Sequence, residues 1–373
     1  MKKPFFAFAV ILILSLIGAL LLSCEKKCTC PVDVETVGDY DLLYIHAGGI
    51  LNDTLYALYS LNYSTETGSL NDTILTLYHI NDLHFTQDGL RAVMSIDNLG
   101  PIQNSVLAID YPSFDTMAIF DKSDGYRIYF SPDEQEVISC FGSIISILSF
   151  PDLTPIFIDT VDNYDGGFLT STDSAFYLVS GIDSIFVIDY TNRQDVAVTS
   201  ATIGSASGGG TVPGPCAVDY INNRMILVLA TPEGNSHIHV LNSDDLSSVQ
   251  WLWVDRRYDG KPGIRPYSDE VYLKYGTDIG EETDNLIDVY NVTSNTLSNY
   301  LRSDDILFWS YFSPRILEFT PNGNSMFVLT GSNLFARFSV LAFNLDNDKV
   351  NRQLEPEKDA TANLIRINPI NKN

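Results

Sequence analysis

An all-β fold is what this sequence predicts, and three observations carry it. Aromatic residues make up 12% of the chain, with 20 Tyr and 20 Phe, a composition that favours strands. Beyond the N-terminal segment no stretch sustains an i, i+3, i+4, i+7 apolar pattern, so helices are not expected. A short alternating apolar segment ending in Asp, Asn or Ser recurs every 40–53 residues or so, about the period of a four-stranded propeller blade.

The chain opens on Lys2 and Lys3, an apolar run from Phe5 to Leu22, and then Leu21-Leu22-Ser23-Cys24. A basic start followed by an apolar run is an export signal. The run is also long enough for an uncleaved membrane anchor, which is the alternative. Cys24, with Ser23 before it and Leu21 at the third position back, resembles the lipobox of bacterial lipoproteins. The resemblance implies a diacylated Cys24 thiol, loss of residues 1–23 as a signal peptide, and an acylated new N-terminus. Glu25 follows; by resemblance to the sorting rules of diderm bacteria, the lack of Asp there favours the outer membrane. Residues 24–40 then read as a tether and 41–373 as the folded domain.

Cys28 and Cys30 lie in that tether, too close together for an easy unstrained disulfide. A metal or redox pair is one reading of them; incidental thiols, or a bridge to another chain, is the other. Cys140 and Cys216 fall in expected strands, and no Cys-x-x-Cys or His/Cys zinc spacing occurs.

The recurring segment appears as Leu58–Tyr63, Val106–Tyr111, Ile145–Phe150, Ile185–Tyr190, Ile238–Ser243, Ile287–Val292 and Val340–Leu345. Each copy follows another strand pattern and a polar turn. Phe130-Ser131-Pro132-Asp133-Glu134 and Phe319-Thr320-Pro321-Asn322-Gly323 are the clearest turns, with residues that supply tight-turn backbone angles. This pairing of turn and strand resembles the YVTN type of β-propeller repeat, although few copies keep the Pro. The last residues, Leu364–Asn371, look like Ile316–Gly323, whereas the first copy lacks an innermost strand of its own. The expectation is therefore a seven-bladed β-propeller of four-stranded blades, its ring closed by a C-terminal strand in the first blade.

Charge excludes one class of partner. With 22 Lys and Arg against 47 Asp and Glu the chain carries −25, the wrong sign for nucleic acid. Apolar residues at 45% and charged ones at 18% exclude global disorder.

Against that charge, Arg256, Arg257, Tyr258, Lys261 and Arg265 crowd one connection between blades. Bidentate Arg contacts there suit a carboxylate or phosphate. The alternative is neutralisation of acidic loops such as Asp304 and Asp305. Tyr-Asp-Gly or its reverse recurs at Asp124-Gly125-Tyr126, Tyr164-Asp165-Gly166 and Tyr258-Asp259-Gly260, either as ligand-facing rings or as a turn signature. His237 and His239 share a strand face, as a metal pair would or as ordinary strand residues do. His46, His79 and His84 show no acidic or Cys motif around them. Asp278, Glu281, Glu282 and Asp284 crowd a loop without calcium-loop spacing, and Gly208-Gly209-Gly210 lacks the Lys-Ser/Thr of a phosphate loop.

No cofactor or metal is expected. Propellers similar in outline include lactonases, streptogramin-type lyases and quinone-dependent dehydrogenases. This chain has no Gly-x-Ser-x-Gly and no paired His/Glu motif, and Trp251, Trp253 and Trp309 are too few for quinoprotein blades. The expected function is a membrane-anchored, extracytoplasmic binding or scaffold module for a protein or glycan partner. The alternative is a hydrolase or lyase acting on a small anionic substrate at the channel mouth, and convergence of His, Glu and Arg there would favour it.

Overall fold

The structure, a computed structural model of the 373-residue chain, describes most of Gly38–Asn373. Residues 1–37, segments 48–57, 98–104, 122–126, 161–167, 200–215, 276–284, 303–312 and 355–360, several shorter turns, and the side chains of 159–216 lie outside the described residues. So do Cys24, Cys28, Cys30, the acidic loop at Asp278–Asp284 and the Gly208–Gly210 run.

Alternation of apolar and polar residues dictates strands throughout. The chain first forms β1 (Asp41–Ala47), β2 (Leu58–Ser64) and β3 (Leu70–Thr76). There follow β4 (His79–Phe85), β5 (Arg91–Asp97), β6 (Ser105–Asp110) and β7 (Thr116–Phe120). Then come β8 (Arg127–Phe130), β9 (Glu136–Phe141), β10 (Ile144–Ser149) and β11 (Pro155–Thr160). The middle of the chain gives β12 (Phe168–Ser171), β13 (Ala175–Ser180), β14 (Ser184–Asp189) and β15 (Val196–Thr199). Next are β16 (Cys216–Asp219), β17 (Arg224–Ala230), β18 (Ser236–Asn242) and β19 (Ser248–Val254). The last full sets are β20 (Gly263–Ile264), β21 (Glu270–Lys274), β22 (Asn285–Asn291) and β23 (Thr296–Arg302), then β24 (Ser313–Phe319), β25 (Ser325–Ser332), β26 (Arg337–Asn344) and β27 (Lys349–Leu354). β28 (Thr361–Ile367) is the last strand and pairs antiparallel with β1, Leu42 opposite Ile367 and Ile45 opposite Leu364. Each four consecutive strands from β4 onward form a separate antiparallel sheet, and β28-β1-β2-β3 forms another.

Within a blade, position decides composition. β6 is apolar on both faces, and Val106, Leu107, Ala108 and Ile109 are all fully buried. The outermost β7 alternates instead: Met117 and Ile119 are exposed while Phe120 turns inward. The hairpin between first and second strands is set by a Ser or Thr hydroxyl. Thr86 Oγ1 donates to Asp88 Oδ1 at 2.6 Å, and Ser131 Oγ donates to Asp133 Oδ1 at 2.7 Å. Gly323, at φ +71°, closes the same turn in the β24–β25 hairpin, where an added Cβ would lie 2.6 Å from the Pro266 carbonyl oxygen.

Apolar side chains seal one blade against the next. Ile45 and Leu364 pack with Ile80, Leu83, Met94 and Leu107. Val93, Val106 and Ala108 pack with Ile128, Val137 and Leu148. Leu42 and Ile365 meet Phe327, Leu329 and Val340, which joins the last blade to the first.

The expected seven-bladed ring closed by strand pairing needs correction. The six consecutive sets from β4 to β27 and the β28-β1-β2-β3 sheet are separate four-stranded sheets, and the ring is not closed by hydrogen bonds. Among the described residues no ladder passes between sheets, and the β28–β1 pairing completes one blade from within. The innermost strands β28, β4, β8, β12, β16, β20 and β24 instead adjoin one another in a circuit, and side chains make the seal. Each sheet keeps an open outermost edge.

Candidate functional site at the propeller axis

Because the innermost strands surround one axis, residues on their axial side converge there from distant parts of the chain. Four of the first strands end alike: His84-Phe85, Tyr129-Phe130, Glu318-Phe319 and Arg366-Ile367 each precede a turn. In each, the last residue faces a neighbouring blade and the one before it faces the axis, since side chains alternate. Asp82, two residues before His84, shares its face.

Arg366 is the hub. Its Nη2 donates to Asp82 Oδ1 at 2.7 Å, its Nη1 to Glu318 Oε1 at 2.5 Å, and its Nε to the Leu83 carbonyl at 2.8 Å. Three blades are thereby held by one guanidinium. The second carboxylate oxygen of Asp82 accepts from His84 Nε2 at 3.2 Å. Burial works to raise the Asp82 pKa, but His84 and Arg366 outweigh it and hold the carboxyl well below the usual carboxylate range.

The His84 ring tilts over Tyr129, with centroids 4.7 Å apart. Tyr129 in turn meets Lys261, whose Nζ donates to the phenol oxygen at 2.5 Å and stands 5.0 Å from the ring centroid. Lys261 precedes β20, and Tyr129 sits on β8, with β12 and β16 between them in the circuit. The lysine therefore reaches across the axial space. Its side chain is exposed to solvent. Burial works to lower its pKa, but the Tyr129 oxygen and, at longer range, Glu318 outweigh it and leave the ammonium favoured. No carboxylate among the described residues lies within ion-pair distance of Nζ.

The cationic connection read from the sequence is split by the fold. Arg256 Nη1 and the Tyr258 hydroxyl both donate to Asp288 Oδ2, at 2.8 and 2.6 Å, and Asp288 is fully buried. Burial first, then the Asp288 carboxylate, pushes the Tyr258 phenol far up, so it stays a donor. Arg265 holds Glu270 at 3.0 Å and the Gly323 carbonyl at 2.9 Å, stitching one blade's turn to the next. Arg257 is engaged as well. Lys261 reaches the axis, at Tyr129.

Sequence reading missed Asp82, His84, Tyr129, Glu318 and Arg366. The signal was present in two forms: Asp82-x-His84 places both groups on one strand face, and the residue before each turn-opening apolar residue is the axial one.

His237 and His239 pair across to Trp253 and Trp251 in the β18–β19 ladder. The His237 ring meets Trp253 edge-on with centroids 4.1 Å apart. Both Nε2 atoms are buried without a hydrogen-bond partner, and no group of three or more metal-ligating side chains occurs among the described residues. Burial, then His237, pushes the His239 imidazole down to about 4. Its folded pKa lies below the unfolded value of about 6.5, so its contribution is full above pH 6.5 and is lost as pH falls towards 4. That difference amounts to roughly 3 kcal/mol. His239→Leu is expected to unfold at a similar temperature to wild type at pH 8 but higher at pH 4.5. Parallel melting-temperature curves for the two proteins across that range would refute it.

No family model matches the chain, and no curated protein matches it in sequence. Solved structures do. The Pseudomonas aeruginosa periplasmic gluconolactonase PpgL is similar at TM-score 0.62 and 14% identity, over 88% of this chain and 99% of that one. Dihydro-heme d1 dehydrogenase NirN is similar at 0.55 and 11%, over 92% and 78% of the two chains. The Myceliophteria thermophila Cps50 (Swd1) β-propeller domain is similar at 0.55 and 11%, over 75% and 88%. At these identities the likeness establishes the fold. The chain is a β-propeller.

Proposed function

We propose that the protein is a lipid-anchored, extracytoplasmic propeller of the YVTN-like type that binds a small anionic ligand at its axis. Lys261 is the observation that carries the ligand: an ammonium in the axial space, bonded to the Tyr129 phenol oxygen, while Arg366 takes both nearby carboxylates. A carboxylate or phosphate would complete its coordination. Lys261→Gln is expected to weaken binding of small carboxylates or phosphate esters about tenfold or more in calorimetry. Wild-type affinity should also fall with added salt. Unchanged affinity in Lys261→Gln would remove the reading.

The anchor rests on Leu21-Leu22-Ser23-Cys24, and Glu25 favours the outer membrane of a diderm cell. Two or more acyl chains on Cys24 would hold the protein to the membrane firmly. Cys24→Ala is expected to accumulate as unprocessed precursor without fatty acid. Wild-type protein free of acyl chains by mass spectrometry would refute lipidation.

A second reading, a surface for a protein or glycan partner, is favoured by Trp251 and Trp253, 58% and 45% exposed on one face of β19. Partner or glycan capture that survives Lys261→Gln but is lost when both indoles are replaced would establish it. Capture that survives both changes would reject it.

A further inference from the structure

The axial cluster contains more than an anion needs. Building on the reading that Lys261 faces a ligand, we propose that the site hydrolyses a small carboxylic ester, lactones included, with His84 as general base. Three observations converge on this.

The first is the tautomer. Asp82 is held ionised by Arg366 and can only accept, so the His84 Nε2 facing it must carry the proton. In the neutral imidazole the lone pair is then on Nδ1, and no bond to Nδ1 occurs among the described residues. A carboxylate that fixes an imidazole in this way is the usual orientation of a histidine base.

The second is the direction of the Lys261–Tyr129 bond. The ammonium donates to the phenol oxygen, so the phenol's own hydrogen is free to point at a ligand and is polarised by the charge behind it. Lys261 and Tyr129 thus offer two donors to one developing oxyanion.

The third is proximity. The imidazole and phenol rings have centroids 4.7 Å apart, so the base and the oxyanion donors are direct neighbours. In the reaction, Nδ1 takes a proton from water as the water oxygen bonds to the carbonyl carbon. The carbonyl π pair moves onto its oxygen, where Tyr129 and Lys261 donate. Collapse breaks the bond to the leaving oxygen, which receives the proton from the imidazolium. One water is consumed, and an acid and an alcohol are formed. The acid then gives its own proton to solvent, and Lys261 holds the resulting carboxylate until it is released. Asp82 and Arg366 are positioning residues.

The test uses the full chain in detergent, with phenyl acetate, dihydrocoumarin and δ-valerolactone as probes and acid release as readout. Wild type is expected to hydrolyse at least one probe above the buffer rate. His84→Asn should lower kcat about 100-fold or more, and Tyr129→Phe about tenfold. Calorimetry with the product acid, alongside circular dichroism, should show His84→Asn folded and still binding. Hydrolysis of none of the three probes, or a wild-type kcat in His84→Asn, overturns the proposal. If the product acids bind wild type but not Lys261→Gln while no probe is hydrolysed, the catalytic inference falls and the binding reading stands. If they do not bind either, both fall.

Discussion

Removing Thr361–Asn373 is expected to leave a chain with no cooperative unfolding transition. The deletion takes away the whole of β28, including Leu364 and Ile365, 4% and 0% exposed. Each such side chain contributes about 1.5–3 kcal/mol through burial. The ladder to β1 goes too, together with Arg366 and its two carboxylate contacts. Leu42 and Ile45 lose the layer that covers them, and the seal between the first and last blades opens. Those losses together rival the whole stability of an ordinary domain, about 5–15 kcal/mol. Thermal melting followed by circular dichroism decides the matter. A truncated protein that melts where the full chain does would mean that β28 is dispensable.

Arg366→Met should give the second-largest effect, by a different route. Methionine keeps much of the apolar stem but leaves Asp82 and Glu318, 17% and 23% exposed, without their cation. Stripping one partner from a largely buried ion pair costs about 3–5 kcal/mol, and the partial exposure here places the estimate near 3. For a domain of this length that is a fall in melting temperature of roughly 4 °C. The effect should depend on pH with a definite sign. Asp82 has a lower pKa folded than unfolded, so its ionised form stabilises fully above about pH 4 and progressively less below. The penalty of Arg366→Met should therefore shrink between pH 6 and pH 3. A penalty of constant size across that range would show that charge is not its cause.

The fold was legible because a propeller repeats its physics. A segment such as Val106–Ile109, apolar at every position, requires cover on both faces, and only a strand inside a blade stack gets it. Thr86, Ser131 and Thr320 mark the hairpins because their hydroxyls bond the turn backbone locally, within five residues. What holds neighbouring blades together was not legible, since it is side-chain contact between segments far apart in sequence. The site divides the same way. The excess of cations around Arg256 was visible, but charge alone does not say where a side chain points. Asp288 lies 32 positions beyond Arg256 and claims it. His84 has its acidic partner in Asp82, two positions away; on a strand that is the nearest same-face position, so the pair is legible in the sequence. The place of the C-terminal strand in the first blade was legible, but the carboxylates that Arg366 meets on two other blades were not.

The hydrogen bond between Arg366 and Asp82 joins residues 284 positions apart. A chain under synthesis makes Asp82 early and must wait for Arg366 until nearly all of the blades exist. Until then Asp82 has no guanidinium beside it, and Leu42 and Ile45 have no β28 above them. Native pairing of β1 with β28 is accordingly among the most non-local contacts in the molecule, and contacts of that kind form slowly. The axial group is thus an end-of-assembly product: a chain interrupted before β28 possesses no site.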